Sequence, residues 1–108
     1  MSFTVDKTKE TDGEMPKAGD RIAAHYTGKF MDGTVFDSSI PRGAPLEFVV
    51  GAGQVIKGWD EGLLQLRVGE KAVLTCPPDY AYGAAGAGNV IPPNATLIFD
   101  VELVAIKK

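Results

Sequence analysis

Only one stretch of this 108-residue chain can form an amphipathic helix, and that scarcity limits the folds open to it. In residues 56–66, "IKGWDEGLLQL", Trp59, Leu63 and Leu66 recur at i, i+4 and i+7, which aligns them on one helical face. Asp60 and Glu61 stand near the start, where negative charge suits the helix dipole. Each interior glycine costs about 1 kcal/mol relative to alanine, so the helix is short and held by packing. Its apolar face must be buried, and nearly everything else in the chain reads as strand.

"DRIAAHYTGKF" runs into Asp32-Gly33, a pair that accepts positive φ at both central positions of a two-residue hairpin, and "TVFDSS" returns. "SFTVDKT" places Phe3 and Val5 on one face, while "LEFVV" (46–50) and "KAVLTC" (71–76) are further short strands. "TLIFDVELVAIKK" alternates, with Leu97, Phe99, Val101, Leu103 and Ala105 sharing a face. One helix covering one face of an antiparallel sheet is an α+β two-layer architecture, with Trp59 pointing at the sheet. Residues 79–95, "DYAYGAAGAGNVIPPNA", have no period and carry Tyr80, Tyr82, Val90 and Ile91. A connection that long and that apolar is expected to fold back on the body. No repeat or linker divides the chain, and its length fits one domain spanning 1–108.

Charge and composition exclude several classes. A net charge of −3 leaves no basic footprint for nucleic acid or an anionic membrane. The apolar runs are too short to span a bilayer, and no signal-peptide core opens the chain. Cys76 is the only cysteine and cannot form an internal disulfide, which fits a reducing, cytoplasmic compartment. His25 is the only histidine, so no histidine-rich metal centre is expected, and no cysteine cluster stands in for one.

A triad of His25, Asp37 and Ser38 lacks a nucleophile-elbow sequence, and a lone strand histidine reads as a structural hydrogen-bonder. Cys76 shares parity with Leu74 and reads as a packed thiol. The glycine run "GAAGAG" (83–88) lacks the following helix and the Lys-Ser/Thr pair of a phosphate cradle, and reads as a flexible flap. Asp60 and Glu61 are adjacent, so they point in different directions on a helix and read as a solvated face.

"AHYTGKF", "DGTVFDSS", "GQVIKGWDEGL", "VGEKAVLT", "PDYAYG" and "IPPNATLIFDVEL" resemble, in order, the signature segments of FKBP-type peptidyl-prolyl cis–trans isomerases. The resemblance runs from about Met15 to the C-terminus at the spacings of the minimal single-domain members. It implies a five-stranded antiparallel β-sheet wrapped around one short α-helix, with a shallow apolar pocket floored by Trp59. It implies catalytic roles for Tyr26, Phe36, Asp37, Trp59, Tyr82 and Phe99. Ligand contacts would come from Arg42, Leu46, Gln54, Val55, Ile56, Ala87, Val90 and Ile91, with Arg42 close enough to pair with Asp37. No metal or cofactor is implied. A two-residue hairpin at Asp32-Gly33 does not put Phe36 and Asp37 on one face, so their sharing a pocket requires a bulge or a strand break.

Such a pocket would isomerise X-Pro bonds in peptides and proteins and would receive macrolide immunosuppressants such as FK506 and rapamycin. By the same resemblance the chain would be a monomer whose drug complex docks onto calcineurin or a TOR-type kinase. The alternative is a non-catalytic binding module that holds a proline-containing loop of a partner; the joint presence of Tyr26, Phe36, Asp37, Trp59, Tyr82 and Phe99 favours activity. A fragment of a larger chaperone is disfavoured by the complete-looking ends. The chain departs from the common pattern at Leu46, where a second phenylalanine is usual, at Gln54, where an acid is common, and at Ala87-Gly88-Asn89, where the flap is usually bulkier. Retained turnover with a weaker grip on bulky ligands is expected. No group needs a mid-range protonation state, so turnover should be nearly flat from about pH 6 to 8.

Overall fold

The structure, a computed structural model, describes residues 2–107. Its elements are β1 (Thr4–Lys9), β2 (Arg21–Phe30), β3 (Val35–Ser38), β4 (Leu46–Val49), α1 (Lys57–Leu63), β5 (Lys71–Cys76) and β6 (Leu97–Lys107), with a 3-10 turn at Pro78–Tyr80. Every strand pairing is antiparallel, in the order β1-β5-β6-β2-β3, with β4 also on β2. β4 lies opposite Arg21 to Ala24 and β3 opposite Thr27 to Lys29, so the two share one edge of β2. Six strands therefore fill five sheet positions, where five strands were expected. At the break between β3 and β4, buried Ser39 takes over the pairing: its Oγ accepts from the Tyr26 N–H at 2.8 Å. The Ser39 N–H donates to the Tyr26 carbonyl at 2.9 Å.

The β2–β3 turn is not the expected two-residue hairpin. Phe30 N–H donates to the Thr34 carbonyl at 2.9 Å and Gly33 N–H to the Phe30 carbonyl at 3.0 Å, leaving a three-residue loop, 31–33. Gly33 alone in that loop takes a positive φ, 91°; Asp32 instead accepts from the Thr34 N–H through its carboxylate.

α1 is shorter than the 56–66 window, yet Trp59, Leu63 and Leu66 are all buried as the spacing requires. Its glycines have a packing reason. A Cβ at Gly62 would lie 2.9 Å from Leu74 Cδ1, and one at Gly58 would lie 2.5 Å from the Cys76 sulfur. The residues that weaken the helix are those that let it approach β5.

On β6 the alternation holds from Leu97 through Leu103, all buried at odd positions. The register then shifts, pairing Ala23 with Ala105 but Ala24 with Leu103, and Val104 is left over. The expected inward face at Ala105 is thereby lost, and Ile106 packs against the core instead.

Two carboxylates fasten loops to this frame. Asp60 accepts from the Gly51 N–H at 2.9 Å and the Gly53 N–H at 3.0 Å, so it is an anchor for the loop before α1 and not part of a solvated face. Glu61 does remain exposed, 3.9 Å from Lys57 one turn back. Glu70 is 1% exposed and accepts from the backbone N–H groups of Arg67 and Thr11, with Lys7 Nζ at 3.1 Å. Those bonds, the backbone ones foremost, pull its carboxyl down to about 2. Among the described residues no helix is long and apolar enough to cross a membrane.

Candidate functional site

Trp59 lies in the first turn of α1, and the residue is only 5% exposed. Three aromatic rings surround it: Tyr26 at 4.9 Å and 66°, Phe99 at 5.3 Å and 86°, and Phe48 at 5.9 Å and 44°. Phe36 extends the cluster, edge-to-face with Phe99 at 5.8 Å and backed by Phe30 at 4.9 Å. Edge-to-face pairs place a positive ring edge on a negative face, each worth about 0.5–1.5 kcal/mol beyond area burial. Gly28 permits this arrangement, because a Cβ there would lie 2.6 Å from Phe36 Cζ and 2.9 Å from Phe99 Cε1. Among the described residues the buried indole N–H has no hydrogen-bond partner, so this position holds a polar group that packing alone would not choose.

A cleft of about 180 Å³ opens onto the indole, lined also by Tyr26, Phe36, Asp37, Leu46, Gln54, Val55, Ile56, Tyr82 and Phe99. The bulge required to bring Phe36 and Asp37 together is present. Gly28 pairs with Asp37 but Lys29 pairs with Val35, which leaves Phe36 as the extra residue on β3. The strand break follows one residue after Ser38 and frees the loop that carries Arg42.

One wall of the cleft is polar. Tyr26 Oη donates to Asp37 Oδ2 at 2.6 Å, and Arg42 Nη2 donates to Tyr26 Oη at 3.2 Å. Arg42 Nη1 faces Asp37 Oδ1 at 3.5 Å, the expected pair at the long end of hydrogen bonding. Asp37 Oδ1 also accepts from the Ser38 N–H at 2.8 Å. Burial raises the Tyr26 phenol above its usual range; the Arg42 bond opposes this and Asp37 adds to it. The phenol thus stays an O–H donor at neutral pH, and a network of this kind fixes the Asp37 carboxylate in place. Burial, with the Asp37 charge behind it, raises the Tyr82 phenol as well.

Tyr82 stands at the rim, 41% exposed. Beyond it a recess of about 300 Å³ is lined by Phe36, Asp37, Tyr82, Ala87, Val90 and Ile91. Ala87 and Ile91 bridge through two backbone hydrogen bonds of 2.9 and 3.1 Å, which bury Ile91 and leave Val90 at the tip. Gly86 is fixed by this closure: its φ is 67°, and a Cβ would stand 2.2 Å from the Ile91 carbonyl. The long connection does fold back on the body, as a small hairpin.

Residues 12–104 match the sequence pattern of the FKBP-type peptidyl-prolyl cis–trans isomerase family. The chain belongs to that family. It is 53% identical over 107 residues to FK506-binding protein 1 of Dictyostelium discoideum, covering 99% of this chain and all of that one. A peptidyl-prolyl cis–trans isomerase of Schizosaccharomyces pombe is 56% identical over 93 residues, 86% of this chain and 83% of that one. The crystal structure of AtFKBP13 superimposes with a TM-score of 0.90 at 39% identity, covering 97% of this chain and 93% of the other.

The polar residues around the cleft of this FKBP-family chain are engaged in structural hydrogen bonds. His25 Nδ1 lies 2.8 Å from Ser39 Oγ, Ser38 Oγ donates to the Tyr26 carbonyl, and Asp37 is bonded to Tyr26. The His25, Asp37 and Ser38 triad is not assembled. Cys76 is buried beside Gly58, and burial pushes its thiol up to about 12, which makes it a packed thiol. Gln54 lines the cleft while its side-chain carbonyl accepts from the Val49 N–H at 2.9 Å.

Sequence reasoning missed two residues that build the site. Phe48 packs against Trp59, and its signal was available, since it shares parity with Leu46 on β4. Ser39, which closes the strand break, had no signal beyond belonging to a serine pair.

Proposed function

We propose that isomerisation takes place over Trp59, where the twisted X-Pro amide is bound more tightly than either planar isomer. The barrier to be lowered, about 18–20 kcal/mol, is chiefly lost amide resonance, so no acid, base or metal is required. A millionfold acceleration corresponds to about 8 kcal/mol of differential binding. In this reading the aromatic lining withholds water from the planar amide, whose charge-separated resonance form depends on it. The twisted amide is less polar and loses less. The Tyr82 hydroxyl and the Ile56 N–H hold the flanking carbonyls. Asp37 serves as an oriented acceptor, fixed by Tyr26 and Arg42, and does not shuttle a proton.

The supporting observation is that Tyr26, Phe36 and Phe99 line one cleft with Trp59, with the Tyr26–Asp37 bond in its wall. The same cleft and the flap recess would receive macrolides of the FK506 and rapamycin type; the name of the Dictyostelium discoideum relative gives FK506 binding for that protein. We extend the reading to a single functional unit over residues 1–108, acting as a monomer in the cytoplasm. The drug-bound rim, with exposed Ile40, Leu46, Tyr82 and Val90, would be offered to calcineurin or a TOR-type kinase. A prolyl isomerisation assay on a short X-Pro peptide, with and without a macrolide, tests this. The expected result is catalysed exchange that one equivalent of macrolide blocks; catalysis undiminished by saturating macrolide would place the chemistry elsewhere.

A further inference from the structure

Phe3 lines neither the cleft nor the flap recess, yet it packs on Tyr80 and beside Gly58 of α1. Its ring lies parallel to Tyr80, with centroids 4.7 Å apart and planes 3° apart. Lys57 Nζ, at the start of α1, sits 4.6 Å from the same Tyr80 ring. Phe3 also abuts α1 itself: a Cβ on Gly58 would lie 3.3 Å from Phe3 Cε1 and 3.1 Å from the Tyr80 carbonyl. Gly58 immediately precedes Trp59 in the floor.

Tyr80 is coupled as closely to the rim. Ala81 N–H and Gly83 N–H both donate to the Pro78 carbonyl, at 3.0 and 2.9 Å, so Tyr80 and Tyr82 lie within one turn closed on Pro78, with Tyr80 N–H bonded to the Pro77 carbonyl at 2.8 Å. We propose that Phe3 is a positioning residue for the isomerase pocket, its flat ring setting the separation between the Trp59 floor and the Tyr82 rim. This rests on the reading that substrate binds in that cleft. The strand that Phe3 leads into, β1, is an edge strand with a mostly exposed burial pattern. The stack on Tyr80 therefore makes rim geometry depend on how well that edge stays attached.

The test uses the full chain carrying Phe3→Ala, Phe3→Leu or Phe3→Tyr. Val5→Ala is the control, since Val5 packs on the core from the same strand. Phe3→Ala is expected to raise KM for an X-Pro peptide about fivefold while kcat stays within about twofold, the pattern of lost ground-state and transition-state binding together. Phe3→Tyr should restore KM. Phe3→Leu should recover stability but not KM, because it fills volume without a plane to stack, and it carries the test if Phe3→Ala does not fold. Full rescue of KM by Phe3→Leu would overturn the proposal. So would an equal rise in KM for Val5→Ala at matched stability. Trp59→Ala, assayed alongside, separates the two ideas: turnover surviving it sinks the cleft reading itself. Turnover lost in Trp59→Ala with KM unmoved in Phe3→Ala sinks only the role of Phe3.

Discussion

Trp59 is enclosed by three aromatic rings on the face of α1 that meets the sheet, whereas the flap across the same space is held by a few backbone bonds, chiefly the Ala87–Ile91 bridge and the Asn94 N–H to the Gly83 carbonyl. Floor and flap line adjoining recesses that share Phe36, Asp37 and Tyr82, but different physics holds each. The floor is over-determined by interlocking rings, so disturbing it costs fold and function together. The flap depends on a few backbone bonds and on Gly86, so changes there should alter grip on large ligands and leave the chemistry alone.

The largest effect is expected at the floor. Trp59→Ala should destabilise by about 3–5 kcal/mol in urea denaturation, as for other large-to-small core changes. It should lower kcat/KM about a hundredfold or more. Trp59→Leu should keep more of the stability and still lose the turnover, and an active Trp59→Leu enzyme would break the contrast between floor and flap.

Next is the polar wall. Tyr26→Phe removes the donor 2.6 Å from Asp37 and leaves Arg42 with one partner fewer. Asp37 and Arg42 are half exposed, so the lost bond should cost about 1.4 kcal/mol, read as roughly a tenfold fall in kcat/KM. An unaltered rate would show that the orientation of Asp37 does not matter.

Smaller effects are expected at the flap. Ala87→Phe adds a ring to the recess and should tighten macrolide binding by about threefold to tenfold, with peptide turnover within about twofold. Turnover changing as much as affinity would mean that the flap takes part in catalysis.

Glu70 lies outside both regions and sharpens the comparison by separating stability from activity. Its folded-state value of about 2 lies below the ordinary 4.5, so its contribution is present above pH 4.5 and is lost as the pH falls toward 2. Glu70→Gln should therefore be less stable than the parent at pH 7, with the gap closing in acid and kcat/KM barely moved. A stability gap independent of pH would contradict the assignment.

Local periodicity made most of this architecture legible. The 3.6-residue pattern of Trp59, Leu63 and Leu66 and the two-residue pattern of β6 depend only on neighbours along the chain. What periodicity could not register was each place where one residue drops out of pairing. Phe36 and Val104 are both left over at bulges, which turned Asp37 into the cleft and exchanged Ala105 for Ile106. Asp60 was misread for a related reason: its partners, Gly51 and Gly53, lie in a preceding loop whose path no pattern reports. Nor could alternation distinguish Phe99, which lines the cleft, from Val101 on the same face, which does not. The grouping of the site residues came from motif resemblance, and the bulge explains why strand parity alone would have scattered them.

The central claim is that the cleft works by favouring a twisted amide and moves no proton. The most direct measurement is kcat/KM for an X-Pro peptide in H₂O and in D₂O between about pH 6 and 8. The account predicts a ratio close to one and the same value throughout that range. A ratio of about two or more, with a bell-shaped pH profile, would mean that a proton is in flight in the transition state, and would return His25 to consideration.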